Sequence, residues 1–217
     1  RCIATGLKHI FQNKEFDYVI PMDSDGEDRP EEIKSFLEYI KYDEGKPIVG
    51  ERVKRSENFI FKTCYHLHKI ITYVFTGHSI KFGNYTCLPK STVEKLINNK
   101  STWCSFSGAL AKLEKDRSSS PSIRGKRYFG PSKMSLFKLI IHSFSIIAVF
   151  KMNVFIRSAL FLVLLSYLQP YIGMISPILQ MTIVMFNIFI YIISTKSNEK
   201  ILKKMDLELE DTEKVTH

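Results

Sequence analysis

Cysteine is scarce: four residues in 217, Cys2, Cys64, Cys87 and Cys104, with no C-x-x-C spacing among them. That excludes a thiolate zinc module, and because the four sit in apolar surroundings it points to buried or inert thiols in a reducing compartment. His66-x-His68 does not supply a metal pair either, since residues two apart share a face only on a strand and this stretch reads as helix. Internal repeats are absent. So is any recognised nucleic-acid motif, although Lys and Arg (31) outnumber Asp and Glu (22), so the basic balance is assigned to a membrane surface and not to nucleic acid.

Charge itself is missing from Met174 to Ser194, a stretch of 21 residues that can cross a bilayer core of about 30 Å at about 1.5 Å per residue. Val154 to Leu168, extended toward Ile172, is nearly as apolar, with Arg157 near enough to one end to snorkel to the headgroups. Only Gln169-Pro170-Tyr171-Ile172-Gly173 separates the two, which predicts a hairpin, and no Lys or Arg stands in that turn. Lys126, Arg127, Lys133, Lys138 and Lys151 precede the hairpin and Lys196, Lys200, Lys203 and Lys204 follow it, so the globular part and both termini are expected on the cytoplasmic side. Gln180 and Asn187 share a face of the second span and can bond across the hairpin. Ser135 to Phe150 is apolar but broken by Lys138, His142, Ser143 and Ser145 at helical intervals, the pattern of a helix lying in the interface. The organisation read from sequence is therefore a globular portion at 1–134 that carries nearly all the acids and turns, an interfacial helix at 135–152, a transmembrane hairpin at 153–195 and a solvated tail at 196–217.

Within 1–134 the pattern is α/β. An amphipathic helix carries Ile3, Leu7, Ile10 and Phe11, and strands are predicted near 16–22, 47–50 and 82–88. Three strands are too few for a self-sufficient sheet, which predicts roughly 60 or more further residues upstream. The apolar run Asp17 to Met22 opens into Asp23-Ser24-Asp25. Paired carboxylates at a strand end suit a hard divalent cation such as Mg²⁺ or Mn²⁺ that also binds phosphate oxygens, although Asp in a turn equally caps its own backbone. A calcium loop counted from Asp23 fails: Gly26 falls at the fourth position, Pro30 interrupts, and Lys34 stands where a bidentate carboxylate is needed. Asp28-Arg29-Pro30-Glu31 reads as a helix start with Asp28 as N-cap, and Ile33, Phe36, Leu37 and Ile40 then form one face.

In order along the chain stand Asp23-Ser24-Asp25-Gly26-Glu27, Gly50-Glu51-Arg52-Val53-Lys54-Arg55, Gly83-Asn84-Tyr85, Arg127-Tyr128-Phe129-Gly130-Pro131-Ser132-Lys133 and the hairpin. This order resembles the family 2 glycosyltransferases of the dolichol-phosphate mannosyltransferase and polyprenyl-phosphate glycosyltransferase type, over most of the chain. The resemblance implies part of a GT-A, Rossmann-like domain followed by the interfacial helix and hairpin. It implies a nucleotide-sugar donor, a polyprenyl phosphate acceptor, and Mg²⁺ or Mn²⁺ on Asp23, Asp25 and Glu27, with homo-oligomers a further option. It also implies that Arg52 and Arg55 meet the acceptor phosphate and that Arg127, Ser132 and Lys133 meet the donor, Arg127 with Asp23 and Asp25 forming the catalytic set.

Asn84 departs from relatives that carry Asp there, which leaves the donor sugar open. A general base for a hydroxyl acceptor is also missing: between Asn84 and Leu113 the one acid is Glu94, which reads as the closing residue of a capping box begun by Ser91. A phosphate acceptor, already anionic, needs no base. Transfer to a glycan or glycolipid hydroxyl and a catalytically silent membrane adaptor stay open beside it.

Overall fold

The computed structural model describes residues 2–54, 59–130 and 135–195. In chain order these form α1 (Cys2–Asn13), β1 (Tyr18–Val19), a 3-10 turn (Pro30–Glu32), α2 (Ile33–Tyr42), β2 (Ile48–Lys54), α3 (Phe59–Thr76) and β3 (Phe82–Pro89). There follow α4 (Lys90–Ile97), α5 (Ser101–Cys104), α6 (Phe106–Leu113), β4 (Ser118–Ile123), α7 (Leu136–Val149), α8 (Lys151–Ile172) and α9 (Ile175–Ser194). Two compact units result: residues 2–54 with 81–130, and residues 59–80 with 135–195. Residues 59–80 thus belong with the C-terminal helices and not with the α/β part that surrounds them in sequence.

The first unit is α/β, built on a mixed four-stranded sheet of order β1-β3-β2-β4. β3 pairs antiparallel with both β1 (Tyr18 opposite Pro89) and β2 (Ile48 opposite Cys87), while β4 runs parallel to β2 (Ile48 opposite Ser118). Phe36 of α2 inserts among Ile48, Tyr85 and Cys87, its ring centroid 4.9 Å from that of Tyr85, and Tyr18, Ile20, Tyr39 and Ile40 close around them. Truncating a fully buried Phe of this kind costs about 3–5 kcal/mol. Leu37, expected on the same face, is exposed instead; the inward stripe turns toward Tyr39 and Ile40. The strand expected over 16–22 is two residues long, because the chain leaves the sheet for the carboxylate turn as soon as Val19 has paired with Leu88. α4 begins at Lys90 directly after Pro89 and has no side-chain cap, so the Ser91–Glu94 capping box does not form.

In the second unit α8 and α9 are long and apolar enough to cross a membrane, and only 11% of the apolar stretch of each is buried, whereas a soluble core helix would be mostly enclosed. The turn between them is shorter than expected: α8 continues through Pro170 to Ile172, and Gly173 and Met174 reverse the chain. Gln180 does bond across the pair, Nε2 donating to Ser166 Oγ at 3.2 Å, and Ser176 Oγ donates to the Leu165 carbonyl at 2.6 Å. Asn187 does not; its amide donates to Ile183 O of its own helix. α7 is capped by Ser135, whose Oγ accepts from the Lys138 N–H. Phe144 of α7 packs edge-on to Phe189 of α9.

Candidate functional site

The carboxylate turn at 23–28 is folded by its own acids. Asp25 Oδ1 accepts the Glu27 N–H at 3.0 Å, and Asp28 Oδ2 accepts the Asp23 N–H at 3.0 Å, closing the turn from both ends. Asp28 is therefore not the helix cap the sequence suggests; the 3-10 turn starts at Pro30 without a side-chain cap, and Asp28 is buried beneath the loop it closes. Burial pushes the Asp28 carboxyl above its ordinary value and the neighbouring Asp23 charge adds to this, against the Asp23 N–H and the Arg52 guanidinium, which pull it down. Arg52 Nη2 lies 3.8 Å from Asp28 Oδ1. The turn's exit is held by Tyr85, whose hydroxyl donates to Arg29 O at 2.7 Å.

A second loop, leaving β4, is laid across this turn. The Ile123 N–H donates to Glu32 Oε1 at 2.8 Å, the Gly125 N–H to Glu27 O at 2.9 Å and the Tyr128 N–H to Asp25 O at 2.8 Å. The crossing is close enough to require glycine on both sides. A Cβ on Gly125 would stand 2.2 Å from Gly26 O, and one on Gly26, whose φ is +88°, would stand 2.7 Å from the Tyr128 ring. Guanidinium groups then meet the carboxylates. Arg127 donates to Glu27 Oε1 from Nε at 3.2 Å and from Nη2 at 3.1 Å, and that Nη2 is also 3.1 Å from Asp25 Oδ2. Arg124 donates through Nη2 to the other Glu27 oxygen. Glu27, with a side chain 12% exposed, thus has both oxygens engaged by guanidinium groups.

Of the residues the sequence singled out, Asp23, Asp25, Glu27 and Arg127 come together at this crossing, and Arg52, near the end of β2, joins them through Asp28. Arg55, Ser132 and Lys133 lie outside the described residues. Asn84 lies on β3, its carbonyl accepting from Thr86 Oγ1. Sequence reasoning missed Arg124; the signal available was its place in Arg124-Gly125-Lys126-Arg127, two cations flanking the glycine that lets the loop cross.

For Mg²⁺ or Mn²⁺ the fit is partial. Asp23 is exposed and Asp25 half-buried, two hard oxygen donors on one turn, and such ions are commonly held by one or two carboxylates with water and phosphate oxygens completing the shell. Among the described residues no group of three His, Cys, Asp or Glu side chains is gathered as a ready metal cage, and to serve as ligands Glu27 would have to exchange its guanidinium partners and Asp25 its contact with Arg127. What the site offers chemically is an exposed acidic edge beside two guanidinium groups, the arrangement in which a metal-bound diphosphate can take carboxylate ligands on one side and charge-assisted hydrogen bonds on the other. No family model, curated protein or solved structure matches the chain.

Proposed function

We propose that the chain is part of a membrane-bound glycosyltransferase that moves a sugar from a nucleotide-sugar donor to a polyprenyl phosphate. The observation that carries this reading is the placement of Arg127 at 3.1 Å from both Asp25 and Glu27, a guanidinium fork beside an acidic turn. A donor diphosphate is recognised by that pairing of opposite charges, and a planar fork binds phosphate oxygens in a two-pronged way that Lys cannot. Asp23 and Asp25 would hold Mg²⁺ or Mn²⁺, which when bound supplies neutralisation of the departing nucleoside diphosphate. Arg127 and Arg124 orient the diphosphate and stabilise its growing charge. Arg52, one side chain away across Asp28, would meet the acceptor phosphate. An acceptor phosphate oxygen attacks the anomeric carbon, the bond from that carbon to the diphosphate breaks, and the electron pair leaves with the nucleoside diphosphate.

The two long apolar helices support a membrane setting: α8 and α9 crossing as a hairpin, α7 in the interface, and the α/β unit with both termini on the cytoplasmic side. The test is the product. The full-length protein in vesicles, given labelled nucleotide sugars and polyprenyl phosphate, should yield a labelled lipid that mild acid cleaves, as a sugar phosphodiester is cleaved. An acid-stable glycoside would move the acceptor to a hydroxyl. No labelled lipid together with no nucleotide-sugar binding would leave a membrane adaptor.

A further inference from the structure

Closing the carboxylate turn takes a hydrogen-bond acceptor, not a charge. Asp28 Oδ2 accepts the Asp23 N–H at 3.0 Å, a bond that an Asn side chain would make as well. A buried carboxylate is a costly way to make it, because an ionised group loses its hydration on burial. Asp28 is only 5% exposed, and the charges of two further acids in the same turn, Asp23 and Asp25, oppose its own. The turn by itself therefore favours Asn at this position, and the charge of Asp28 needs a second account.

Arg52 supplies it. Its Nη2 stands 3.8 Å from Asp28 Oδ1, near enough for attraction between charges of which one is buried, yet longer than an N–H···O bond. Asp28 thus steers the guanidinium without engaging its donors. Arg127 and Arg124 differ, since both commit N–H groups to Glu27. The backbone aims Arg52 as well. β2 slips register against β3 between Val49 and Glu51 and against β4 between Arg52 and Lys54, and irregularities of this kind re-aim the side chains they carry. Gly83 of β3 flanks the guanidinium, so that even a Cβ there would come within 3.8 Å of Nη2. A long side chain, 24% exposed, is thereby oriented before any ligand arrives.

We propose that Asp28 is a positioning residue for the acceptor phosphate: its charge aims the Arg52 guanidinium while its other oxygen fixes the turn that carries Asp23 and Asp25. One buried carboxylate then sets the acceptor side of the site against the donor side. Asp28 touches neither substrate and acts through Arg52. The proposal rests on the reading of the chain as a transferase that uses a lipid phosphate.

Asp28→Asn keeps the shape and an acceptor for the Asp23 N–H and removes the charge. Arg52 is partly exposed, so water takes up its charge when the partner goes, and the variant should fold. In the full-length protein, with the nucleotide sugar that labels lipid in the parent, Asp28→Asn should raise the KM for polyprenyl phosphate about tenfold and leave that for the nucleotide sugar within about twofold, a coupling of ordinary size for groups in contact. Calorimetric titration with citronellyl phosphate, a short soluble isoprenoid phosphate, should show the same loss without turnover. Adding Asp28→Asn to Arg52→Gln should cause no further loss. Stability supplies a check that needs neither substrate: Arg52→Gln leaves a buried carboxylate without its counter-charge and should melt lower than Asp28→Asn/Arg52→Gln, in which both charges are gone. Four results overturn the proposal and leave the transferase standing: unchanged citronellyl phosphate affinity in Asp28→Asn, an equal loss for donor and acceptor, an undiminished effect of Asp28→Asn once Arg52 is replaced, or a double variant that melts no higher than Arg52→Gln. A parent that neither transfers sugar nor binds citronellyl phosphate overturns the transferase reading and the proposal with it.

Discussion

Arg127 grips Glu27 with two nitrogens on one carboxylate oxygen, Nε at 3.2 Å and Nη2 at 3.1 Å. With Arg124 on the other oxygen, a single acid fastens the loop after β4 to the turn after β1, two segments nearly 100 residues apart. The same contacts leave the turn acidic at Asp23 and basic beside it, so structural tie and proposed chemistry share their atoms.

Arg127→Lys keeps the charge and removes the fork. A partly exposed pair of this kind contributes on the order of 1 kcal/mol, so the variant should melt only a few degrees lower. Its effect on transfer should be far larger, a drop in kcat/KM of about a hundredfold if the fork meets charge growing on the diphosphate. Equal activity with parent protein would place Arg127 in the fold alone.

Gly125→Ala tests the crossing. With its Cβ 2.2 Å from a carbonyl oxygen, backbone must shift, and overpacking of this kind costs about 1–3 kcal/mol. Thermal unfolding should show that loss, whereas Gly45→Ser, where nothing stands within 4 Å but φ is +79°, should show only the smaller strain of its turn. A Gly125 variant as stable as the parent would mean the two loops do not meet.

Burial pushes the Cys87 thiol from 9.0 up to about 11 and the Tyr85 hydroxyl from 10.0 up to about 12. Both groups hold their protons more tightly folded than unfolded, so what they contribute to stability is whole below about pH 9 and is lost as pH rises through their folded values. Denaturant midpoints should therefore fall between about pH 9 and 12, and Tyr85→Phe, which keeps the ring but strands the Arg29 carbonyl, should cost about 1 kcal/mol at neutral pH and flatten the alkaline slope. At pH 8 a maleimide should label exposed Cys2 quickly and Cys87 only after unfolding. Prompt labelling of Cys87 in the folded protein would contradict the core described.

Periodicity and run length made α2, β2, β3, α7 and the two long apolar helices legible in sequence as elements, because each signals locally. β4 was not legible: Ser118-Ser119-Ser120-Pro121-Ser122-Ile123 has almost no strand propensity, and it pairs at the sheet edge, where Pro is tolerated, only because β2 offers its parallel side. Asp28 misled for a related reason, since D-x-P-E suits a cap as well as a turn closure, and the N–H that decides between them belongs to Asp23, five residues back. At the site, the acids and Arg127 could be read as chemistry-bearing residues, but the pairing of Arg124 with Glu27 and the Gly26–Gly125 crossing depend on a contact that no local pattern encodes. The membership of α3 in the C-terminal unit was hidden by Lys62, His66, His68 and Lys69, which break its apolar signal.

The metal-dependent role proposed for Asp25 is tested by the initial rate against Mg²⁺ or Mn²⁺ concentration for the full-length parent and its Asp25→Ala variant, with nucleotide sugar and polyprenyl phosphate supplied. The parent rate should vanish with chelator and be restored by either cation, and the variant's rate should stay at background, at least about a thousandfold below the parent, at every cation concentration. A variant that transfers sugar as the parent does, with the same cation dependence, would contradict it.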